Sequence, residues 1–234
     1  MPQAPAIIGN LAESILGRPA LVLGVQQPAP GFLEVELRAA PPPGGWHLGH
    51  EIQFRVSPTQ GRRYSVRTVG GSEAETIGIL VATQATGPGT AWVRRLCTGT
   101  ETTALAGRHR PLREHGARRL YLGDGSALGV IDAYARSGDD PTVTIEVPAQ
   151  AVAPLTERWP RYRFLSAVDT PGATLQGWLA CAIAEGELGD VGGALLVGHA
   201  QSIQRQRRAL VDGQILQRHS ITAKSHWATR KEGL

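Results

Sequence analysis

The stretch Arg62-Arg63-Tyr64-Ser65-Val66-Arg67 sets cations, an aromatic ring and a hydroxyl side by side along one run of strand-forming residues. A strand sends alternate side chains to opposite faces, so Arg62, Tyr64 and Val66 would share one surface and Arg63, Ser65 and Arg67 the other. A curved barrel strand still offers both edges to one ligand. Around this run, short alternating or β-branched segments recur over residues 20–25, 32–38, 51–56, 63–69, 76–83 and 102–106, parted by Pro and Gly clusters. Six such strands predict a small antiparallel barrel. The Pro-rich residues 39–45 cannot enter a central strand and read as a surface loop. Ahead of the barrel, residues 10–16 read as a short helix with Asn10 as its cap.

Past Gly107 the pattern changes. Residues 119–122, 142–147, 161–168 and 194–197 read as strands, and residues 126–136, 174–187 and 202–211 as helices. Strands alternating with helices imply a parallel sheet covered on its faces, with ligands bound beyond the carboxyl ends of the strands. Gly123, Asp124, Gly198 and His199 would lie there. The expected fold is therefore a β-barrel plus α/β protein: a six-stranded antiparallel Greek-key barrel over residues 1–107, then a parallel-sheet nucleotide-binding domain over residues 108–234.

At 234 residues the chain is long enough to bury a substantial core without disulfide staples. Cys97 and Cys181 fall in separate segments and read as buried thiols in a reduced cytoplasm. No apolar run approaches the roughly 20 residues of a membrane span, and the N-terminus lacks a secretory pattern, so a cytoplasmic protein is expected. The net charge is +4. Its excess gathers late, at Arg205, Arg207, Arg208, Arg218, Lys224, Arg230 and Lys231, which places an anionic partner at the C-terminal third. No nucleic-acid fold signature accompanies those cations, and a phosphorylated nicotinamide or an acidic metal chelate suits them better. His47 and His50 lie three apart and His109 and His115 six apart, but no cysteine or carboxylate completes a metal-ligand set. There is no Gly-x-Ser-x-Gly elbow of a serine hydrolase.

Five segments, in order, resemble one family. Residues 62–67 resemble the Arg-x-Tyr-Ser/Thr signature of ferredoxin-reductase-like flavoproteins, in particular the siderophore-interacting proteins, whose version continues to a second Arg, here Arg67. Gly87-Pro88-Gly89-Thr90-Ala91-Trp92 resembles the family's Gly-Pro-x-x-x-Trp turn, whose amides can face a pyrophosphate. Leu120-Tyr121-Leu122-Gly123-Asp124-Gly125-Ser126-Ala127-Leu128-Gly129 is similar to its strand entering Gly-Asp-x-Thr/Ser-Ala-Leu-Pro, with Gly129 in place of proline. Gly193-Ala194-Leu195-Leu196-Val197-Gly198-His199-Ala200 and the Arg-rich residues 201–210 resemble its Gly-Glu-Ala strand and following helix, with His199 in place of glutamate. Trp227, between Lys224 and Arg230, resembles its terminal Tyr-Trp-x-x-Gly.

The resemblance implies FAD and NAD(P)H as cofactors and electron transfer to ferric iron chelated by a siderophore. On this basis Tyr64 and Ser65 would stand at the isoalloxazine as the catalytic pair. Arg62, Arg67, Gly87, Gly89 and Thr90 would complete the FAD site, and Gly123, Asp124, Ser126, His199 and Trp227 the nicotinamide side. Arg205, Arg208, Lys224 and Arg230 would meet the 2′-phosphate or the chelate. Two family elements are missing, a histidine before the Gly-Pro turn and a Gly-Pro-x-Gly where this chain has Ala106-Gly107-Arg108-His109. Their loss implies weaker FAD retention, or flavin that exchanges as a substrate. It leaves two alternatives open: a flavoenzyme acting on a small organic molecule in secondary metabolism, and a redox-silent binding protein on the same fold.

Overall fold

The computed structural model describes residues 17–107, 118–136 and 140–230. The helix expected over residues 10–16, Arg108, His109 and His115 lie outside them. The chain divides into two compact units, Met1–Pro111 and Leu112–Leu234.

The first unit contains β1 (Arg18–Ala29), β2 (Phe32–Ala39), β3 (Glu51–Ser57), β4 (Gln60–Ser65), β5 (Thr68–Gly70), β6 (Thr76–Ala82), α1 (Pro88–Val93) and β7 (Glu101–Ala106). Its strands run in the order β4-β3-β7-β1-β2-β6-β5, and every pair is antiparallel. The single strand expected over residues 63–69 is two. Its first half pairs with β3 and its second with β6. Between them the backbone changes partner: Val66 N donates to the His50 carbonyl at 2.9 Å, and the next amide, Arg67 N, donates to the Gly78 carbonyl at 2.8 Å. The two ends of the sheet are thus consecutive in the chain, and the sheet closes on itself. Counted as one bent strand, β4 and β5 make this the six-stranded barrel. Alternation supplies its core, with Ile52, Phe54 and Val56 of β3 facing Val35 and Leu37 of β2 and Ile77, Ile79 and Val81 of β6 in one buried cluster.

The second unit contains β8 (Arg118–Asp124), a 3₁₀ turn (Gly125–Ala127), α2 (Leu128–Ala135), β9 (Thr142–Val147), α3 (Ala149–Arg158), β10 (Arg163–Ser166), α4 (Ala173–Ala184), β11 (Val191–His199), α5 (Ala200–Asp212) and β12 (Ile221–Trp227). The sheet is parallel throughout in the order β10-β9-β8-β11-β12. The strand order reverses direction between β8 and β11, the switch point at which such sheets bind ligands. Leu120 and Leu122 of β8 pack with Leu175 and Leu179 of α4 and with Ile203 and Leu210 of α5. Tyr121 points the other way, where its hydroxyl reaches the Tyr134 carbonyl of α2, so helices cover both faces.

Two elements escaped the sequence pattern. The interior of α3 carries Pro154, which removes an amide and hides the helical signal. Only the first residue of the edge strand β12 is buried, so no alternation marks it. Cys97 and Cys181 are free, as expected, but both are exposed: the first follows α1 and the second lies on the outer side of α4, away from its buried Leu175, Leu179 and Ala182.

In α2, Asp132 is 1 % exposed. Its carboxylate accepts from Trp159 Nε1 at 3.0 Å, Tyr162 Oη at 2.7 Å and Arg136 Nε at 2.9 Å. These bonds tie α2 to the link between α3 and β10. Replacing Asp132 by Ala strands two aromatic donors and is expected to lower unfolding stability by about 2–4 kcal/mol, read from the midpoint of a urea transition.

Candidate functional site

In the first unit the closing strand presents the residues that the sequence singles out. The Tyr64 ring is stacked on Trp92 of α1, with centroids 5.9 Å apart and planes at 24°, and is tilted against Phe54 at 6.1 Å. Burial pushes its hydroxyl up to about 12, against the pull of the neighbouring Arg62 charge, so Tyr64 stays a neutral donor. Arg62 is half-buried and donates to its own strand at the Gly61 carbonyl, 2.9 Å away. Gly89, in the turn that opens α1, lies directly over both side chains: a Cβ there would stand 3.2 Å from Arg62 Cγ and 3.2 Å from Tyr64 Oη. Glycine is what allows that approach. The structure therefore brings Arg62, Tyr64 and Gly89 into one patch, with Ser65 half-buried next along the strand and Gly87 and Thr90 in the same turn as Gly89.

Arg67, the last cation of the run, is held differently. Its side chain turns away from that patch, is 2 % exposed and forms an ion pair with Glu34 of β2, so its charge serves barrel packing.

In the second unit, Asp124, Ser126, His199 and Trp227 converge at the carboxyl ends of β8 and β11. Asp124 Oδ1 accepts from Ser126 N at 2.9 Å and from Ser126 Oγ at 2.5 Å. Its Oδ2 accepts from His199 N at 2.8 Å and from Trp227 Nε1 at 2.9 Å. Gly198, at φ +115°, admits this carboxylate, because a side chain there would collide with it. His199 is 4 % exposed and lies 4.3 Å from the Trp227 ring. Ser202 Oγ donates to the Pro171 carbonyl at 2.8 Å, which leaves it to accept from His199 Nδ1 at 2.8 Å. Nδ1 therefore carries a proton, and Nε2 lies 2.9 Å from Thr229 Oγ1, which can donate to it when the ring is neutral. Burial holds its pKa below the ordinary 6.5, with Arg205 acting in the same direction and Asp124 and Glu146 opposing.

A narrow crevice with a cavity volume of about 10 Å³ lies beside this group, lined by Asp124, Glu146, Gly172, His199, Ser202 and Gln206 among others. Glu146 and Gln206 were not anticipated. Glu146 of β9 is 4 % exposed; its two oxygens accept from Gly172 N at 2.8 Å and Leu175 N at 2.9 Å, capping α4 from a distance. Gln206 occupies an apolar register position of α5, between Ile203 and Leu210, and is 2 % exposed. Its Oε1 has no partner among the described residues. A charged residue in an otherwise apolar buried strand and an amide in an apolar helix stripe were the available signals. Of the expected cations, Arg205 is anchored to the Pro171 carbonyl at 2.8 Å, Arg208 and Arg230 are exposed, and Lys224 is half-buried on β12.

A closed antiparallel barrel and a parallel-sheet α/β unit make a ferredoxin-reductase-like fold. Solved structures make the likeness particular. The chain superposes on a siderophore-interacting protein from Acinetobacter baumannii with a TM-score of 0.75 at 14% identity, covering 92% of each chain. It superposes on the siderophore-interacting protein of Aeromonas hydrophila with a TM-score of 0.72 at 16% identity, covering 93% of this chain and 94% of that one. With the ferredoxin reductase of a carbazole 1,9a-dioxygenase the TM-score is 0.70 at 19% identity, over 90% of this chain and 67% of the other. No protein-family model and no curated protein matches the sequence. The chain has the fold of siderophore-interacting proteins. Among the described residues no helix is long and apolar enough to cross a membrane.

The lowered pKa of His199 gives a signed expectation. A group held neutral in the folded state contributes stability in full above its unfolded value near 6.5, and that contribution is lost as the pH falls toward the lower folded value. Thermal midpoints measured from pH 7.5 down to about pH 5 should fall for the natural chain and fall less steeply for His199→Gln.

Proposed function

We propose that this chain is a flavin-dependent reductase of ferric siderophores, with FAD held by the first unit. The observation that carries the reading is the Arg62–Tyr64–Gly89 patch on the strand that closes the barrel. Its donor set suits the group: Arg62 offers charge to a pyrophosphate, Gly89 lets backbone approach it, Tyr64 offers a neutral aromatic face and Ser65 a hydroxyl. Bound flavin supplies the means to pass electrons singly to the metal. The Trp92 stack fixes the Tyr64 ring before any ligand arrives, and the hydroxyl, held neutral by burial, donates without adding negative charge. Ferric iron in its chelate is the substrate, and hard oxygen donors hold the reduced ion less tightly, so reduction frees it. Exposed Arg208 and Arg230 suit the acidic groups of such a chelate. Electrons return to the flavin one at a time from a carrier of the ferredoxin type, in place of a reduced nicotinamide, because the helix starts that would take a nicotinamide's phosphates are engaged by Asp124 and Glu146.

The test is spectroscopic. Protein titrated with FAD should acquire a perturbed flavin band, and Tyr64→Ala should weaken the affinity about tenfold through loss of the aromatic contact. Dithionite-reduced, FAD-loaded protein mixed anaerobically with a ferric polycarboxylate chelate should then yield ferrous iron, read with a ferrous-specific chelator. Protein that takes up flavin but leaves the ferric chelate untouched would favour an organic substrate. Protein that takes up no flavin would be a redox-silent binder on this fold.

A further inference from the structure

In parallel α/β sheets the helices begin at the carboxyl edge, and their free amides and dipoles make that edge the usual seat of phosphate groups. Here α2, α3, α4 and α5 all begin there, and three of these starts are already served by the chain's own carboxylates. Glu146 takes Gly172 N and Leu175 N at the start of α4. Asp124 takes Ser126 N, in the turn leading to α2, and His199 N, at the start of α5. The start of α3 is Pro148-Ala149-Gln150 and brings no cation or hydroxyl.

A second, independent observation points the same way. Gln206 reaches the crevice between these starts with its buried oxygen unpartnered, so the crevice presents a further acceptor where a phosphate needs donors. The neighbouring imidazole is neutral and supplies no positive charge. With a cavity volume of about 10 Å³, the crevice holds little more than one water and is far below the ~300 Å³ at which small-molecule pockets begin.

We propose that the carboxyl edge of the parallel sheet excludes phosphate, that Asp124 and Glu146 set the exclusion, and that neither NADH nor NADPH is anchored there by its pyrophosphate. Asp124 and Glu146 are specificity-determining residues, since each removes from the edge the donors that a nucleotide would use and replaces them with negative charge. The inference draws on the oxidoreductase reading only for the choice of nucleotide.

Amide hydrogen–deuterium exchange on the full chain tests it. The segments holding Ser126, Gly172, Leu175 and His199 should be protected without ligand, and neither NADPH nor inorganic pyrophosphate, up to about 1 mM, should protect them further. In Glu146→Gln the start of α4 should exchange about tenfold faster, and pyrophosphate should restore protection in a saturable titration. Saturable protection of these segments by NADPH or pyrophosphate in the natural chain overturns the proposal. So does a folded Glu146→Gln protein with no response to pyrophosphate. If that variant does not fold, the natural-chain titration still decides, and Asp124→Asn repeats the variant arm at the α5 start. Flavin uptake is read separately by absorbance, so failure of the redox reading and failure of this one are told apart.

Discussion

The change of hydrogen-bond partner between Val66 and Arg67 is the constraint on which the first unit depends. One amide bonds back toward β3 through the His50 carbonyl, and the next bonds to Gly78 of β6. A sheet with exposed edges invites pairing with other chains, and closure removes both edges at once. That closure needs Val66 sealed in the core, at 0 % exposed, and Arg67 neutralised by Glu34. An unpaired guanidinium buried at such a bend would cost several kcal/mol. The same bend aims Tyr64 and Arg62, immediately before it, at the glycine turn that opens α1. Barrel closure and the Arg62–Tyr64–Gly89 patch are thus two consequences of one six-residue run.

The second unit is organised by carboxylates in place of a ligand. Asp124 joins β8, the start of α5 and the indole of Trp227, and Glu146 joins β9 to the start of α4. Each buried charge is met by backbone or indole N–H groups, the condition under which burying it is tolerable. Because a carboxylate at a helix start also complements the dipole, both sites stabilise the sheet-to-helix transitions whatever else binds there.

What could be read from the sequence divides along the same line. Arg62, Tyr64, Gly89, Asp124, Ser126, His199 and Trp227 were legible because each belongs to a local motif whose spacing survives in the fold, and the structure gathers them into two groups. Alternation over residues 51–56 and 76–83 marked the barrel strands closely because one face of each is buried. The break after Ser65 was not legible, since Val66 and Arg67 continue the pattern of residue types and only the change of partner, a tertiary event, interrupts the strand. The burial of Arg67 was not legible for a related reason: its partner Glu34 is distant in sequence, and nothing local separates a buried ion pair from a surface cation. Glu146 and Gln206 carry no motif, and their roles depend on helices that begin far along the chain.

The uneven charge of the chain acquires a different meaning at the level of the fold. The cations of its last third suggest an anion-binding end, yet Arg208 and Arg230 are exposed and Arg205 is held by a carbonyl at the surface, while the strand ends beneath them carry Asp124 and Glu146. A surface potential acts over about 8 Å at physiological salt, enough to draw an anion to the face but not to compensate for carboxylates at the point of contact. Such an arrangement favours an anion that is met at the surface and released over one that must insert its phosphates among the helix starts. A ferric chelate with its charge spread over an outer shell of carboxylates is of the first kind and a dinucleotide of the second. On the proposed reading, sequence charge draws an anion to the face, and the two buried acids set which kind of anion the strand ends would accept.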